Sequence, residues 1–190
     1  AILMPTWPRE TTAAPMNEAA PGSETRHDAY RDAATGLAVT VTARAFAGFP
    51  AVEWVLELTN DGTNDTPIIE DLLPLDARLP LPAQERLRLH HPHGSLCQMD
   101  DFLPQVTELR PGAQVTVAPR GGRSSNGAFP FANLQAGSGG LIVAVGWSGQ
   151  WAMTFSRDRE GLHLTAGMER TRLRLHPGES VRTPRILLME

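Results

Sequence analysis

Alternation of apolar and polar residues with a period of two restricts this chain more than any other feature. In "TGLAVTVTARAF" residues Leu37, Val39, Val41, Ala43 and Ala45 fall on one side, with Thr40, Thr42 and Arg44 on the other. "AVEWVLELTN" repeats the pattern, setting Val52, Trp54, Leu56 and Leu58 against Glu53, Glu57 and Thr59. Successive side chains of a strand point to opposite faces, so each run reads as a half-buried strand. No window of about 11 residues or more carries a 3.6-residue apolar period, and helices are expected to be few. Further runs ("RLRLHHPHG", "VTELRPGAQVTVAP", "QWAMTFSRD", "GLHLTAGM", "TRLRLHPGE", "SVRTPRILLM") bring the total to around ten short strands at a spacing of roughly 8–14 residues. That pattern predicts an all-β fold, a large antiparallel β-sandwich of two sheets.

The two runs on either side of "NDGTNDTP" are expected to pair as antiparallel neighbours. "LIVAVGW", apolar throughout, is expected to be buried on both faces. Residues 1–29, with "PTWPRETTAAPMNEAAPGSE", show no sustained period and read as an extended lead-in to a sandwich domain over 30–190, with Trp7 as its anchor. At 190 residues the chain is long enough to bury roughly 70% of its unfolded surface around one core.

Composition closes several function classes. A single cysteine, Cys97, excludes an intrachain disulfide and an all-cysteine zinc site. All 17 basic residues are Arg, which excludes lysine Schiff-base chemistry and a P-loop. A formal charge of -4 with intermixed signs leaves no footprint for nucleic acid. Arg170, Arg172 and Arg174 alternate as on the solvated face of a strand. No apolar run approaches the roughly 20 residues of a membrane span, and "AILMPTWPRE" lacks a signal-peptide pattern. The chain is expected to be soluble, with cytoplasm and secretion both open. It opens without Met, as a processed or excised piece would.

Four stretches hold candidate chemistry. "HHPHG" places His90, His91 and His93 close together, but the next acid is Asp100, and a turn-flanking cluster is preferred to a metal site. No metal or cofactor is expected. "MDDFLP" offers Asp100 and Asp101; adjacent strand residues face opposite ways, so they make a poor acid/base pair, although a single Asp there suits a sugar hydroxyl. In "GGRSSNG" the glycines permit positive φ, while Arg123, Ser124, Ser125 and Asn126 supply groups that read hydroxyls or satisfy the loop's own backbone. "GWSGQW" holds Trp147 and Trp151, four apart; Trp151 shares a stripe with Met153 and Phe155 and is read as core. "NDT" at Asn64 is a glycosylation sequon, relevant only on a eukaryotic secretory route. No Ser-His-Asp or Cys-His arrangement can be placed, and no catalytic residue is expected on this chain.

Taken together, "TGLAVTVTARAFAGFPAVEWVLELTNDGTNDTPIIED", "GGRSSNGAFPFANLQ", "VGWSGQWAMTF" and "AGMERTRLRLHPGESVRTPRILLM" resemble the amino-terminal β-sandwich domain of glycoside hydrolase family 36, the α-galactosidases, from about Tyr30 to Glu190. The resemblance implies a twisted supersandwich of the galactose-mutarotase type, followed in the family by a (β/α)8 barrel that carries the two catalytic aspartates of a retaining mechanism. It implies that this chain starts inside the domain and stops where the barrel would begin. It carries over the loop Gly121 to Asn126 and the "DDF" loop, hence Asp100, Asp101 and Arg123 to Asn126 with Trp147, as substrate-rim or domain-interface candidates. The expected partners are the barrel of the same enzyme and an α-galactoside or other carbohydrate, with no nucleic acid and no membrane; homo-oligomerisation is left open. "PRILLM" and parts of "AFPF" are expected to form an apolar patch for the barrel, and Arg123 to clamp a barrel carboxylate or Asp101. The competing reading is a free-standing carbohydrate-binding module; a third is a purely structural or partner-binding sandwich.

Overall fold

The computed structural model describes residues 7–13 and 22–190, and among them it contains antiparallel strands joined by turns and no helix. None of these residues forms a helix long and apolar enough to cross a membrane. The chain divides into two units, Ala1–Leu72 with Thr171–Thr183, and Leu73–Arg170 with Pro184–Glu190.

In the first unit, β1 (Arg9–Ala13) pairs with β2 (Ser23–Arg31), β2 with β3 (Leu37–Phe46), and β3 with β4 (Ala51–Asn60). The predicted alternation places Val39 opposite Leu58 and Val41 opposite Leu56. Val39, Leu56 and Leu58 bury with Leu175 into a core against which Trp7, Trp54 and Tyr30 pack. Strand β1 and most of β2 come from the stretch read as a lead-in. No apolar alternation marks β2, because its buried positions are Thr25 and Asp28. Asp28 is tolerated inside because its Oδ1 accepts from Thr11 Oγ1 at 2.6 Å and from Arg26 Nη2 at 3.0 Å.

The expected pairing across "NDGTNDTP" does not occur. Beyond the turn the chain forms β5 (Ile69–Glu70), which pairs with β14 (Arg172–Leu173), while β4 takes β15 (Ser180–Arg182) as a neighbour. The cause is Asn60, fully buried at the end of β4. Its Nδ2 donates to Asn64 O at 2.8 Å and to Leu175 O at 2.9 Å, and its Oδ1 accepts from Gly62 N at 2.9 Å. These bonds turn the chain toward the 171–183 segment instead of back along β4.

The second unit contains β6 (Leu75–Pro80), β7 (Leu87–Pro92), β8 (Pro104–Leu109), β9 (Gln114–Val117), β10 (Phe131–Ala136), β11 (Gly139–Gly146), β12 (Trp151–Arg157), β13 (Gly161–Met168) and β16 (Arg185–Met189). One sheet runs β16-β11-β10-β7-β8 and the other β6-β13-β12-β9. Leu87, Leu89, Leu134, Val143 and Ile186 line the buried face of the first; Trp151, Met153, Phe155, Leu162 and Leu164 line that of the second. In β12 buried and half-exposed residues alternate strictly, which is the stripe read from the sequence. Of the run "LIVAVGW", Val143, Ala144 and Val145 are buried, whereas Leu141, Ile142 and Trp147 are half-buried and Gly146 is exposed, so burial on both faces holds only at its centre.

Candidate functional site

Two loops of the second unit carry most of the predicted site residues. The first, residues 93–103, joins β7 to β8; the second, residues 118–130, joins β9 to β10. Their approach is set by Gly94, which is buried between them: a Cβ there would stand 2.1 Å from Ser125 O and 2.5 Å from Ala128 N. At that contact Ser95 N donates to Ser125 O at 2.7 Å.

The 93–103 loop is built around Asp101. Its Oδ2 accepts from Ser95 Oγ at 2.6 Å and from Cys97 N at 3.1 Å, while its Oδ1 accepts from Leu96 N at 2.7 Å. The Ser95 hydroxyl first, and then the Leu96 amide, hold the Asp101 carboxyl below the ordinary carboxylate range. These bonds sustain two residues in the left-handed region, Cys97 (φ 60) and Phe102 (φ 60). Asp101 is therefore bound within its own loop and not by Arg123. Asp100 lies outside this arrangement, with Oδ2 3.4 Å from His93 Nδ1.

The 118–130 loop is closed by Asn126, whose Nδ2 donates to Arg120 O at 2.7 Å while Arg120 N donates to Asn126 O at 2.8 Å. Ser124 and Ser125 contribute main-chain carbonyls: Ser124 O accepts from the indole of buried Trp151 at 2.8 Å, and Ser125 O is the acceptor for Ser95. Arg123, at the tip, is exposed; its carbonyl accepts from Asn126 N at 3.3 Å, while its guanidinium has no hydrogen bond or ion pair to another described residue. The structure thus brings Asp101, Ser124, Ser125 and Asn126 into one bonded assembly and leaves Asp100 and Arg123 at its margin.

Trp147 is half-buried in the turn between β11 and β12, where a Cβ at Gly149 would approach its Nε1 to 3.1 Å. That turn separates it from Trp151, so the two tryptophans do not share a strand face. The next residue, Gln150, joins the turn to the polar loop: Oε1 accepts from Gly122 N at 3.0 Å and Nε2 donates to Pro119 O. Ser95 and Gln150 were not singled out by the sequence and Trp151 was read as core alone, because their bonds to main-chain groups of Ser125, Gly122, Pro119 and Ser124 leave no residue-type signal.

An apolar ridge is carried by the 93–103 loop itself and by strands β8 and β10. Met99 is fully exposed, and Leu96, Phe102, Leu103, Val106 and Phe131 are each about half exposed. Phe102 packs edge-on against Phe129, which stacks with Phe131, both at 5.5 Å between centroids. Of "PRILLM", Ile186 is fully buried where β16 pairs with β11, and Leu187, Leu188 and Met189 are half-buried. Of "AFPF", Phe131 does stand exposed, at the edge of the ridge.

The histidines separate. His90 Nε2 bonds Gln135 Oε1 at 3.0 Å, and burial, then the neighbouring His93, push His91 below the ordinary imidazole range. Among the described residues no group of three or more His, Cys, Asp or Glu is arranged to hold a metal. In the first unit, a polar cleft of about 590 Å³ lies between the turns at 33–36 and 62–67, with Arg174 on its wall.

Strands, loops and ridge together define an all-β domain that holds a polar loop beside an exposed apolar surface. The chain belongs to the family described as the glycosyl hydrolase family 36 N-terminal domain, whose sequence model matches residues 12–176. Its fold is similar to that in the GH36 α-galactosidase AgaA of Geobacillus stearothermophilus, at 20% identity and TM-score 0.73, covering 96% of this chain and 27% of that one. It is also similar to the α-galactosidase of Lactobacillus brevis, at 17% identity and TM-score 0.77, covering 95% and 26%. The galactosidase domain of the α-galactosidase-sucrose kinase AgaSK matches at 14% identity and TM-score 0.69, covering 96% and 27%. This chain therefore spans little more than a quarter of each of these structures. No curated protein matches it in sequence.

Proposed function

We propose that the chain is the N-terminal domain of an α-galactosidase-type hydrolase and that it supports and partly lines a barrel active site where α-galactosides are hydrolysed with retention. The observation that carries this reading is the ridge of Leu96, Met99, Phe102, Leu103, Val106 and Phe131. An apolar surface of that kind, rimmed by polar groups, is the usual mark of a surface that another protein element covers. The Ser95–Ser125 bond makes the ridge continuous with the polar loop. A barrel seated on the ridge would meet Arg123 at its edge, where a guanidinium suits a carboxylate or a sugar hydroxyl.

The substrate class follows from the relatives. Variants of the Geobacillus enzyme have been solved in complex with 1-deoxygalactonojirimycin, stachyose and raffinose. The catalytic carboxylates belong to the barrel in this reading, since Asp101 is engaged in holding its own loop and adjacent Asp100 pairs with His93. A free-standing carbohydrate-binding module is the second reading, favoured by the cleft next to the polar loop.

The test is hydrolysis of p-nitrophenyl α-galactoside by the full-length gene product and by the 190-residue chain. Turnover is expected from the former only, and Met99→Ser with Phe102→Ser in the full-length protein should loosen the domain and lower kcat/KM. Turnover by the chain alone that Asp101→Asn abolishes would sink the proposal, as would a full-length product with no barrel.

A further inference from the structure

Behind the polar loop lies an open cleft of about 490 Å³ lined by Gly121, Gly122, Gln150, Glu169 and Arg170. Its size falls within the roughly 300–1,000 Å³ of small-molecule sites. Gly121 (φ 67) and Gly122 (φ 75) present backbone where other residues would present side chains. A Cβ on Gly122 would meet nothing within 4 Å and would enter the open space. Gln150 fixes one wall, since both ends of its carboxamide are spent on Gly122 N and Pro119 O. Glu169 N donates to Gln150 O at 3.4 Å, which fastens the opposite wall just after β13. Glu169 and Arg170 line it, both exposed, and neither side chain has a hydrogen bond or ion pair to another described residue.

We propose that this cleft is a subsite for a vicinal pair of sugar hydroxyls, with Glu169 accepting from one hydroxyl and Arg170 donating to its neighbour. Charge decides the ligand class. A phosphate or carboxylate in the cleft would meet Glu169, and an ammonium would meet Arg170; a neutral diol uses both. Bonds from hydroxyls to ionised side chains are stronger than neutral ones, and a rigid backbone wall limits the ordering cost of binding. The choice of a galactoside among neutral diols rests on the function proposed above, whereas the diol class comes from the cleft's own groups.

The experiment is an amide-resolved NMR titration of the 190-residue chain with methyl α-galactopyranoside, and separately with inorganic phosphate. Expected are saturable shifts at Gly121, Gly122 and Glu169 and at the Gln150 carboxamide with the sugar but not with phosphate. Glu169→Gln and Arg170→Gln should each weaken binding roughly tenfold or more. Both residues are exposed, and the unchanged remainder of the spectrum certifies the fold of each variant. Absence of saturable shifts, affinity that survives both substitutions, or an equal response to phosphate would overturn the proposal. Failure here beside an active full-length hydrolase removes the cleft and leaves the domain reading intact. Sugar binding beside an inactive full-length product keeps the cleft and removes the parent-enzyme reading.

Discussion

Ser95 donates its hydroxyl to Asp101 at 2.6 Å while its own amide donates to Ser125 at 2.7 Å, so one serine connects the carboxylate of one loop to the backbone of the next. The polar loop and the apolar ridge are held together by this relay and not by Arg123. Its strength depends on the ionisation of Asp101. Because the folded-state pKa is depressed, the stabilisation is present above the ordinary carboxylate value of about 3.9 and is lost as pH falls through the lower folded value. Asp101→Ala should speed amide exchange at Leu96 and Cys97 at neutral pH and abolish the acid transition of those amides. Equal exchange in wild type and variant would show that the backbone holds the loop unaided.

Gly94→Ala should damage the same assembly sterically. The added methyl would collide with main-chain atoms of Ser125 and Ala128, which cannot rotate away, so the loops must part. The expected cost is about 1–3 kcal/mol, read as a lower urea midpoint together with altered tryptophan fluorescence as Ser124 O leaves Trp151. Gly48→Ala is the comparison: that glycine, unlike Gly94, has a positive φ (85), but nothing lies within 4 Å of its added Cβ. Its cost should stay near the roughly 1–2 kcal/mol of left-handed backbone alone, with fluorescence unchanged. Identical fluorescence in both variants would contradict the wedge argument.

What the sequence disclosed follows from what a side chain can signal. Strands β3, β4, β12 and β13 were legible because Val39, Leu56, Met153 with Phe155, and Leu164 belong to apolar stripes, and Trp151 fell into its stripe for the same reason. Strand β2 was not, because the burial of Asp28 depends on Thr11 and Arg26, distant or differently placed in the chain, and nothing local announces it. The candidate loops were found through glycine and polar clustering. How they are held was hidden, because the acceptors are the carbonyls of Pro119, Ser124 and Ser125, which every residue type possesses. Arg170 read as part of the solvated face of a strand and Glu169 was not singled out, because only the Gln150 bond to Gly122 brings the polar loop beside them.

Asn60 should be among the most costly polar residues of the first unit to remove. It is fully buried, and its carboxamide serves three main-chain groups at Gly62, Asn64 and Leu175. Asn60→Ala would leave Gly62 N and Asn64 O without this partner and Leu175 O with Thr66 N alone, at a cost of about 2–4 kcal/mol. For a chain of this size that corresponds to a fall in Tm of roughly 5–15 °C. Asn60→Asp should be no milder, because a carboxylate offers no donor to Asn64 O or Leu175 O. A Tm within the error of wild type in either variant would mean that the 60–66 turn is held by other bonds.

His176 gives the first unit a pH response of the opposite sign. Its Nδ1 lies 2.7 Å from Asp65 Oδ1, and that hydrogen bond first, then the charges of Asp65 and Glu179, raise its pKa above the ordinary imidazole value, against a lowering by Arg174. A raised folded-state pKa means that the contribution is fully present below the unfolded value of about 6.5 and is lost as pH rises through the folded one. Asp65→Asn removes the carboxylate that accepts from the imidazolium, so the His176 midpoint should fall toward or below the ordinary value when followed by imidazole NMR shifts. The stability gap between wild type and Asp65→Asn should be widest at mildly acidic pH and should narrow once His176 is neutral in both. Because Asp65 also lines the polar cleft and lies 3.8 Å from Arg174, Arg174→Gln is the needed companion. It should raise the His176 midpoint by removing a nearby positive charge, and a midpoint that moves in neither variant would show that the His176–Asp65 contact does not persist in solution.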